Sequence, residues 1–158
     1  STPLLLASYE GHTNVIRTLI AHNAKVNAKN AIGNTALMAA VAKGHIHTAK
    51  LLLENGIDPN IKNMKGNTAL ILAIHTISQI GITKLLIESG ANVSAENNEN
   101  ETPLMYASWN GKKDIVKLLL ANGANANQKN KNGDTALVLA EKRGYTHIIR
   151  LLKNIDLK

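Results

Sequence analysis

Short apolar blocks alternate with polar loops along this chain at a nearly fixed interval. Each block opens with threonine, a small residue or proline, and leucine: Thr2-Pro3-Leu4, Thr35-Ala36-Leu37, Thr68-Ala69-Leu70, Thr102-Pro103-Leu104 and Thr135-Ala136-Leu137. Successive triplets lie 33, 33, 34 and 33 residues apart, and each is followed at the same distance by an alanine and then by a Leu/Ile run. This recurrence predicts five copies of one structural unit.

The fourth copy shows the expected structure of one unit most clearly. Thr102 is followed by proline, which is typical of a helix N-cap with proline at the first helical position. Gly111 suits the left-handed residue that ends this short first helix. A second helix carries Ile115 and Leu119 on its apolar face, and the polar residues 125–134 lead to the next unit. No such unit can bury its apolar face alone, so neighbouring units are expected to stack.

These residues resemble the ankyrin-repeat family. Its pattern is matched by Gly33-x-Thr35-x-Leu37, by Gly11-His12 and Gly44-His45, and by Gly90-Ala91 and Gly123-Ala124. The resemblance covers essentially the whole chain and implies an all-α repeat solenoid, in which helix–turn–helix units form a right-handed stack. It also implies that β-hairpin loops and first helices line a concave groove. We expect a single domain, 1–158, with repeats at approximately 1–29, 30–62, 63–96, 97–129 and 130–158.

Two departures from the repeat pattern are informative. Asn100 stands where the other loops have glycine, and asparagine tolerates a positive φ better than most residues. In the third unit, residues 74–81 form a turn that is one residue longer and lacks glycine at the usual place. We interpret this turn as tolerated variation at the surface, because loops accept insertions cheaply. The alternative is a local bulge that shapes the groove.

The two ends also differ from the inner units. The charged residues Glu141-Lys142-Arg143 stand where inner units carry small residues, as expected of a polar C-terminal cap. The loop that should precede Thr2 is missing, so we expect the natural protein to continue upstream.

Composition excludes several kinds of chemistry. The 158 residues contain no cysteine, which rules out disulfides, thiolate zinc sites and cysteine nucleophiles. His45 and His47 are the only close histidine pair, and no third ligand shares their spacing. The carboxylates show no paired arrangement, and the glycines recur once per turn for backbone reasons. We therefore predict no enzymatic activity, no cofactor, no metal and no small-molecule substrate. No apolar run approaches the ~18 residues that span a bilayer.

The net charge of +7 needs a separate interpretation. A stripe of cations recurs on the predicted outer side of the second helices: Arg17, Lys50, Lys84, Lys117 and Arg150. Lys29, Lys62 and Lys129 recur where the loops begin. A solvated outer face is the favoured interpretation, and phosphate binding is the alternative. Nucleic acid is not the favoured partner, since no aromatic residues interleave with the stripe.

The resemblance implies a partner-binding surface at the ends of the first helices and at the loop tips. Its helix-end positions hold Tyr9-Glu10, Ala42-Lys43, His75-Thr76, Trp109-Asn110 and Lys142-Arg143. Its tip positions include Ile32, Asn34, Met64, Lys65, Glu99 and Glu101. The tips change from apolar to acidic along the chain, so a partner with an apolar segment beside a basic one would fit. Exposed tryptophan and tyrosine are favoured interface anchors, which makes Trp109 the strongest candidate.

The sequence thus favours a monomeric module that binds another protein. The first alternative is a regulatory or targeting segment of a larger protein, such as a secreted effector. The second is weak binding of nucleic acid or an anionic surface by the basic stripe. A cytoplasmic location is the default expectation, with secretion as the alternative.

Overall fold

A computed structural model describes residues 2–76 and 79–155, and this part of the chain is helical throughout its regular structure. The helices are α1 (Pro3–Glu10), α2 (Thr13–Ala21), α3 (Ala36–Ala42), α4 (Ile46–Glu54), α5 (Ala69–Ala73), α6 (Gln79–Glu88), α7 (Pro103–Trp109), α8 (Lys113–Ala121), α9 (Ala136–Arg143) and α10 (Thr146–Lys153). No strand occurs among the described residues. Contacts divide the chain into two compact units, Ser1–Ala91 and Asn92–Lys158, which are called unit 1 and unit 2 below.

Unit 1 consists of three helical pairs stacked in sequence order. The first helices α1, α3 and α5 contact each other in turn, and so do the second helices α2, α4 and α6. Six of the seven residues of α3 are buried, and they are Ala, Leu, Met or Val. A helix with so little exposed surface is stabilised by the neighbouring pairs as well as by its own pair. The expected stacking of neighbouring repeats is therefore confirmed inside unit 1.

Unit 2 repeats this arrangement with two pairs. Helix α7 contacts α8 and α9, and α10 packs against both α8 and α9. The predicted apolar face of α8 is buried at Ile115 and Leu119, whereas Lys113 and Lys117 are exposed. The predicted helices of the fourth copy are thus confirmed, and so is the predicted buried side of its second helix.

A threonine begins every first helix. The hydroxyl oxygens of Thr2, Thr35, Thr68, Thr102 and Thr135 each accept a hydrogen bond from the backbone N–H three residues later, at 3.2–3.5 Å. Each bond satisfies one of the N–H groups that a helix N-terminus leaves without an intrahelical partner. The recurring triplet therefore marks the starts of the first helices, as its sequence predicts.

Asparagine side chains fold the loop tips. Oδ1 of Asn30 accepts hydrogen bonds from the backbone N–H of Ile32 at 3.1 Å and of Asn34 at 2.9 Å. The same pair of bonds recurs at the equivalent residues Asn63, Asn97 and Asn130. Within each tip there are two backbone bonds: the asparagine N–H donates to the carbonyl oxygen four residues on, and the asparagine carbonyl oxygen accepts from the N–H three residues on. These bonds close a tight turn, and no strand occurs among the described residues, so turns without flanking strands stand where the resemblance implied β-hairpins.

The third repeat departs from the others, as its sequence indicates. Helix α5 ends at Ala73, and Ile74 beyond it is fully buried. The Thr76 hydroxyl donates to the Ala73 carbonyl oxygen at 2.9 Å. Ile77 and Ser78, in the middle of the longer turn, lie outside the described residues. At the other predicted departure, Asn100 has φ of 57°, which confirms the left-handed conformation expected of this residue.

Gly111 is required both by its conformation and by its neighbour. Its φ is +68°, and a Cβ atom built on it would lie 2.8 Å from the ring of Tyr145. Gly144 has a similar φ of +72°, but a Cβ atom there would meet nothing within 4 Å. Gly144 therefore provides a control for the conformational effect alone.

We predict that Gly111→Ala destabilises the protein more than Gly144→Ala. Both substitutions place alanine in the left-handed region, at a cost of roughly 1–2 kcal/mol. Only Gly111→Ala also displaces the Tyr145 ring, which adds about 1–3 kcal/mol. Chemical denaturation of the two variants measures the difference, and equal free energies of unfolding would contradict the prediction.

Two buried serines at the same repeat position differ in their hydrogen bonding. Both are fully buried, and the Ser8 hydroxyl donates to the Leu4 carbonyl oxygen at 2.7 Å. The Ser108 hydroxyl has no hydrogen-bond partner among the described residues. A buried hydroxyl without a partner loses its bonds to water and gains nothing in return.

We therefore predict opposite effects of the same substitution. Ser108→Ala should raise the free energy of unfolding by roughly 1 kcal/mol, because it removes an unsatisfied group. Ser8→Ala should lower it by about the same amount, because it removes a hydrogen bond. Urea denaturation of both variants tests this, and destabilisation by Ser108→Ala would mean that its hydroxyl has a stabilising interaction.

Candidate partner-binding surface

Large apolar side chains are exposed at the positions that the sequence assigned to partner binding. Among the described residues, eight large hydrophobic side chains are exposed. Four of the eight are Tyr9, Ile32, Met64 and Trp109, all on predicted positions. The other four are Leu6, Val15, Ile80 and Ile155. The two units are described in turn, since each presents its own part of the candidate surface.

In unit 1, two neighbouring loop tips bring apolar side chains together. The backbone N–H of Met64 donates to the Ile32 carbonyl oxygen at 3.1 Å, so the two residues are adjacent. Met64 is 70% exposed and Ile32 is 57% exposed. Asn34 fixes the same pair of tips, because its Oδ1 accepts a bond of 2.9 Å from Nδ2 of Asn63. With exposed Lys65 beside it, this forms a small apolar patch with a polar edge.

At the end of α1, Tyr9 carries a cation on its ring. Nζ of Lys43 lies 4.3 Å from the ring centroid, within the range of a cation–π interaction. The pKa of Lys43 is raised, first by a hydrogen bond to the Tyr9 side chain and next by the charge interaction with it. Nε2 of His45 lies 3.0 Å from the Tyr9 carbonyl oxygen. Since that oxygen can only accept, Nε2 carries the proton, and His45 acts as a link between repeats.

The third repeat contributes two predicted residues that differ in accessibility. His75 is exposed, whereas Thr76 is only 8% exposed. Because the Thr76 hydroxyl already donates to Ala73, this residue offers little surface to a partner.

In unit 2, the acidic loop tips are engaged within the unit. Glu99 forms an ion pair of 3.4 Å with Lys131 of the next tip. Glu101 accepts a hydrogen bond of 2.8 Å from the Tyr106 hydroxyl and one of 3.0 Å from Nδ2 of Asn97. The ion pair with Lys131 offsets the charge of Glu99, and the two hydrogen bonds occupy one oxygen of the Glu101 carboxylate, so these side chains are less available to a basic partner than the sequence alone indicates.

The end of α7 carries the most elaborate side-chain contact of the candidate surface. The Trp109 side chain is 41% exposed, and the guanidinium carbon of Arg143 lies 4.9 Å from its ring centroid. The same guanidinium lies 6.0 Å from the ring of Tyr145. Asn110 ends the helix and donates from Nδ2 to the Tyr106 carbonyl oxygen at 2.8 Å. Lys142 is paired with Asp134 at 2.7 Å.

Both ring contacts have the same repeat spacing, which was not recognised from the sequence. Tyr9 and Trp109 occupy the same repeat position, while Lys43 and Arg143 stand one position later in the following repeat. Sequence placed these cations among the contact positions but not on the rings. An aromatic residue followed by a cation 34 residues later is a signal that would have found both pairs.

The basic stripe on the second helices is partly neutralised. Lys50 pairs with Glu54 at 3.9 Å, and Lys84 pairs with Glu88 at 3.8 Å, one helical turn apart in each case. Arg17, Lys117 and Arg150 are exposed, as predicted for an outer face. Internal ion pairs lower the charge that would contact phosphates, so they favour the solvated-face interpretation.

The described residues contain no group of three or more His, Asp or Glu side chains that could hold a metal ion. Two surface cavities have volumes of about 280 Å³ each. One, in unit 1, is lined by Thr2, Pro3, Leu4, Leu19, Ala24, Lys25 and Ala28; the other, in unit 2, by Gly111, Lys113, Gly144, Tyr145, Thr146, His147 and Ile148. Neither lining includes a carboxylate that could pair with a base. Within the described residues, every helix is too short or too polar to cross a bilayer.

Comparison with known families agrees with this architecture. A family model described as ankyrin repeats (3 copies) matches residues 1–63, 61–130 and 113–158. The chain therefore belongs to the ankyrin-repeat family, as its motifs predict. Ankyrin repeats are generally protein–protein interaction modules, and the family is typically non-enzymatic. A search of curated proteins found no match to this chain.

The Tyr106 hydroxyl generates a prediction about alkaline pH. Burial raises the pKa of Tyr106 to about 12, and the hydrogen bond to Glu101 acts in the same direction. The ordinary pKa of tyrosine is 10.0. Between pH 10 and about pH 12, the folded chain therefore keeps the Tyr106 proton, whereas the unfolded chain releases it. This contribution to stability is complete below pH 10 and is lost as the pH rises through 12.

We expect Tyr106→Phe to remove the tyrosinate absorbance step near pH 12 and to lower the free energy of unfolding at neutral pH by about 1 kcal/mol. Ultraviolet titration and urea denaturation measure the two effects. An unchanged alkaline titration in the variant would show that Tyr106 is not the residue that titrates there.

Proposed function

We propose that this chain binds a partner protein through the loop tips and the C-terminal ends of the first helices of each unit. The observation that carries the proposal is the coincidence at these positions of four of the eight exposed large apolar side chains. An exposed hydrophobic residue by itself needs no explanation. Because half of the exposed large apolar side chains lie at the predicted contact positions, their distribution supports a binding function.

The residues at these positions suit the centre of an interface. Interface cores are enriched in Trp, Tyr, Phe, Met and Arg, and a few such residues account for most of the binding free energy. Trp109 and Tyr9 each pack on a cation from the next repeat, which holds the ring in one orientation. A side chain ordered before binding loses less conformational entropy when the partner arrives.

The apolar patch of unit 1 supports the same proposal. Ile32 and Met64 expose more than half of their side-chain surface, next to the exposed polar residue Lys65. Methionine adapts to irregular partner surfaces, and the tips that carry the two side chains are linked through their backbones. Truncation of a central anchor of this kind costs about 2 kcal/mol or more of binding free energy.

We predict that Trp109→Ala and Ile32→Ala each weaken partner binding by roughly 30-fold, which corresponds to ~2 kcal/mol. Partners are first isolated with the immobilised intact chain, and their dissociation constants are then measured for each variant by calorimetry. Ile32→Ala tests the surface of unit 1, and Trp109→Ala tests that of unit 2.

Ile80→Ala is the matched control, because Ile80 is an exposed aliphatic residue on a second helix, α6, and is not one of the proposed contact residues. Its dissociation constant should stay within about twofold of the unmodified chain, since surface contacts outside an interface contribute little. Circular dichroism melts establish that each variant is folded. Unchanged binding by both Trp109→Ala and Ile32→Ala would refute the proposed surface.

A further inference from the structure

Arg143 is the last residue of α9, and aromatic rings hold its side chain in place. Its guanidinium carbon lies 4.9 Å from the Trp109 ring centroid and 6.0 Å from that of Tyr145. Trp109 belongs to the preceding repeat, so the stack joins α7 to α9, which are neighbours in unit 2. We call Trp109, Arg143 and Tyr145 the arginine stack.

The carboxylates closest to Arg143 in sequence are already paired with other cations. Asp134 holds Lys142 at 2.7 Å, and Glu141 holds Lys153 at 3.0 Å. Within residues 2–76 and 79–155, no ion pair includes Arg143. Its charge is therefore exposed and held in position, but without a carboxylate partner in the described part of the chain.

The geometry of a stacked guanidinium determines what it can bind. The Arg143 guanidinium lies over the Trp109 ring, and because a guanidinium carries five N–H donors, a cation–π contact leaves donors for another partner. Those donors match the two oxygens of a carboxylate, and the resulting charge-assisted bonds are short and directional.

We propose that the arginine stack binds an aspartate or glutamate side chain of the partner protein. The inference rests on the proposed function and adds the chemistry that unit 2 recognises. It also differs from the expectation of a basic partner segment, which depended on tip carboxylates that are engaged by Lys131 and Tyr106.

Two observations favour a carboxylate over a phosphate group. A phosphate monoester carries nearly two negative charges at neutral pH and is bound best by several cations. Arg143 supplies one charge, and the adjacent Lys142 is occupied by Asp134. The guanidinium carries one positive charge and can donate two parallel hydrogen bonds, so it matches a carboxylate, which carries one negative charge and two oxygens.

Unit 1 contains the same arrangement at the same repeat positions. Lys43 lies over the ring of Tyr9 there, as Arg143 lies over Trp109 in unit 2. An exposed cation held on an aromatic ring is thus a recurring element of this chain. Lysine lacks the planar fork, so the directional recognition of a carboxylate is assigned to Arg143 alone.

Selection from a phage-displayed library of random dodecapeptides tests the inference with the full chain as bait. Peptides selected by the unmodified chain should be enriched in Asp and Glu over the input library. Arg143→Gln should abolish this enrichment. Arg150→Gln, which removes an exposed arginine from the outer side of α10 in the same unit, should preserve it.

One selected acidic peptide is then synthesised and titrated, with the fluorescence of the only tryptophan, Trp109, as the signal. Arg143→Gln should raise the dissociation constant roughly 10- to 100-fold, as expected for charge-assisted hydrogen bonds. Replacing the acidic residue of the peptide by its amide should have the same effect, and combining both changes should add little. Arg143→Lys should restore binding only in part.

The outcomes separate this inference from the proposed function. One outcome is that the selected peptides need Trp109 or Ile32 for binding, while Arg143→Gln selects peptides of the same acidic content as the unmodified chain. That outcome would overturn the inference and leave the proposed function standing. Recovery of no peptide, or tenfold tighter binding of a phosphoserine version of the peptide, would also overturn it. The proposed function itself fails only if neither Trp109→Ala nor Ile32→Ala weakens partner binding.

Discussion

Burial of first helices against their neighbours within each unit is the constraint on which the rest of the structure depends. Helix α3 shows it most clearly, because six of its seven residues are buried and its contacts come from α1, α4 and α5. A helix of only seven residues has little stability of its own in water. Stacking therefore supplies the stability, and it requires small or slender residues at the contacts. The closeness of Gly111 to the Tyr145 ring follows from the same requirement.

Sequence periodicity was sufficient to predict this framework. The threonine triplets located the start of every first helix, and the fourth copy indicated correctly which side of α8 is buried. Asn100 was expected to take a positive φ, and it does. These predictions succeeded because local hydrogen bonding and helical facing are determined by residues within one repeat. The predicted contact residues remain a proposal, which exposure supports for residues such as Trp109 and Met64 but not for the buried Thr76.

Interactions between repeats were not identified from the sequence. The cation over Tyr9 comes from a residue 34 positions later, and the Arg143 stack spans the same separation. Likewise, the acidic tips looked available in the sequence, whereas Glu99 is paired with Lys131 and Glu101 accepts from Tyr106. Side-chain partners depend on distances that spacing alone does not specify. They led us to propose that unit 2 recognises an acidic group and not the basic segment that the sequence indicated.

The asparagine turns affect how the exposed residues of the loop tips can change during evolution. Oδ1 of each asparagine accepts from the backbone N–H of the residue two positions on, so this bond does not depend on the side chain of that residue. At the first donor position the four tips carry Ile32, Lys65, Glu99 and Asn132, which share neither size nor charge. Mutation can therefore replace these residues one at a time while the loop keeps its shape. New specificities can arise in this way without a penalty in folding.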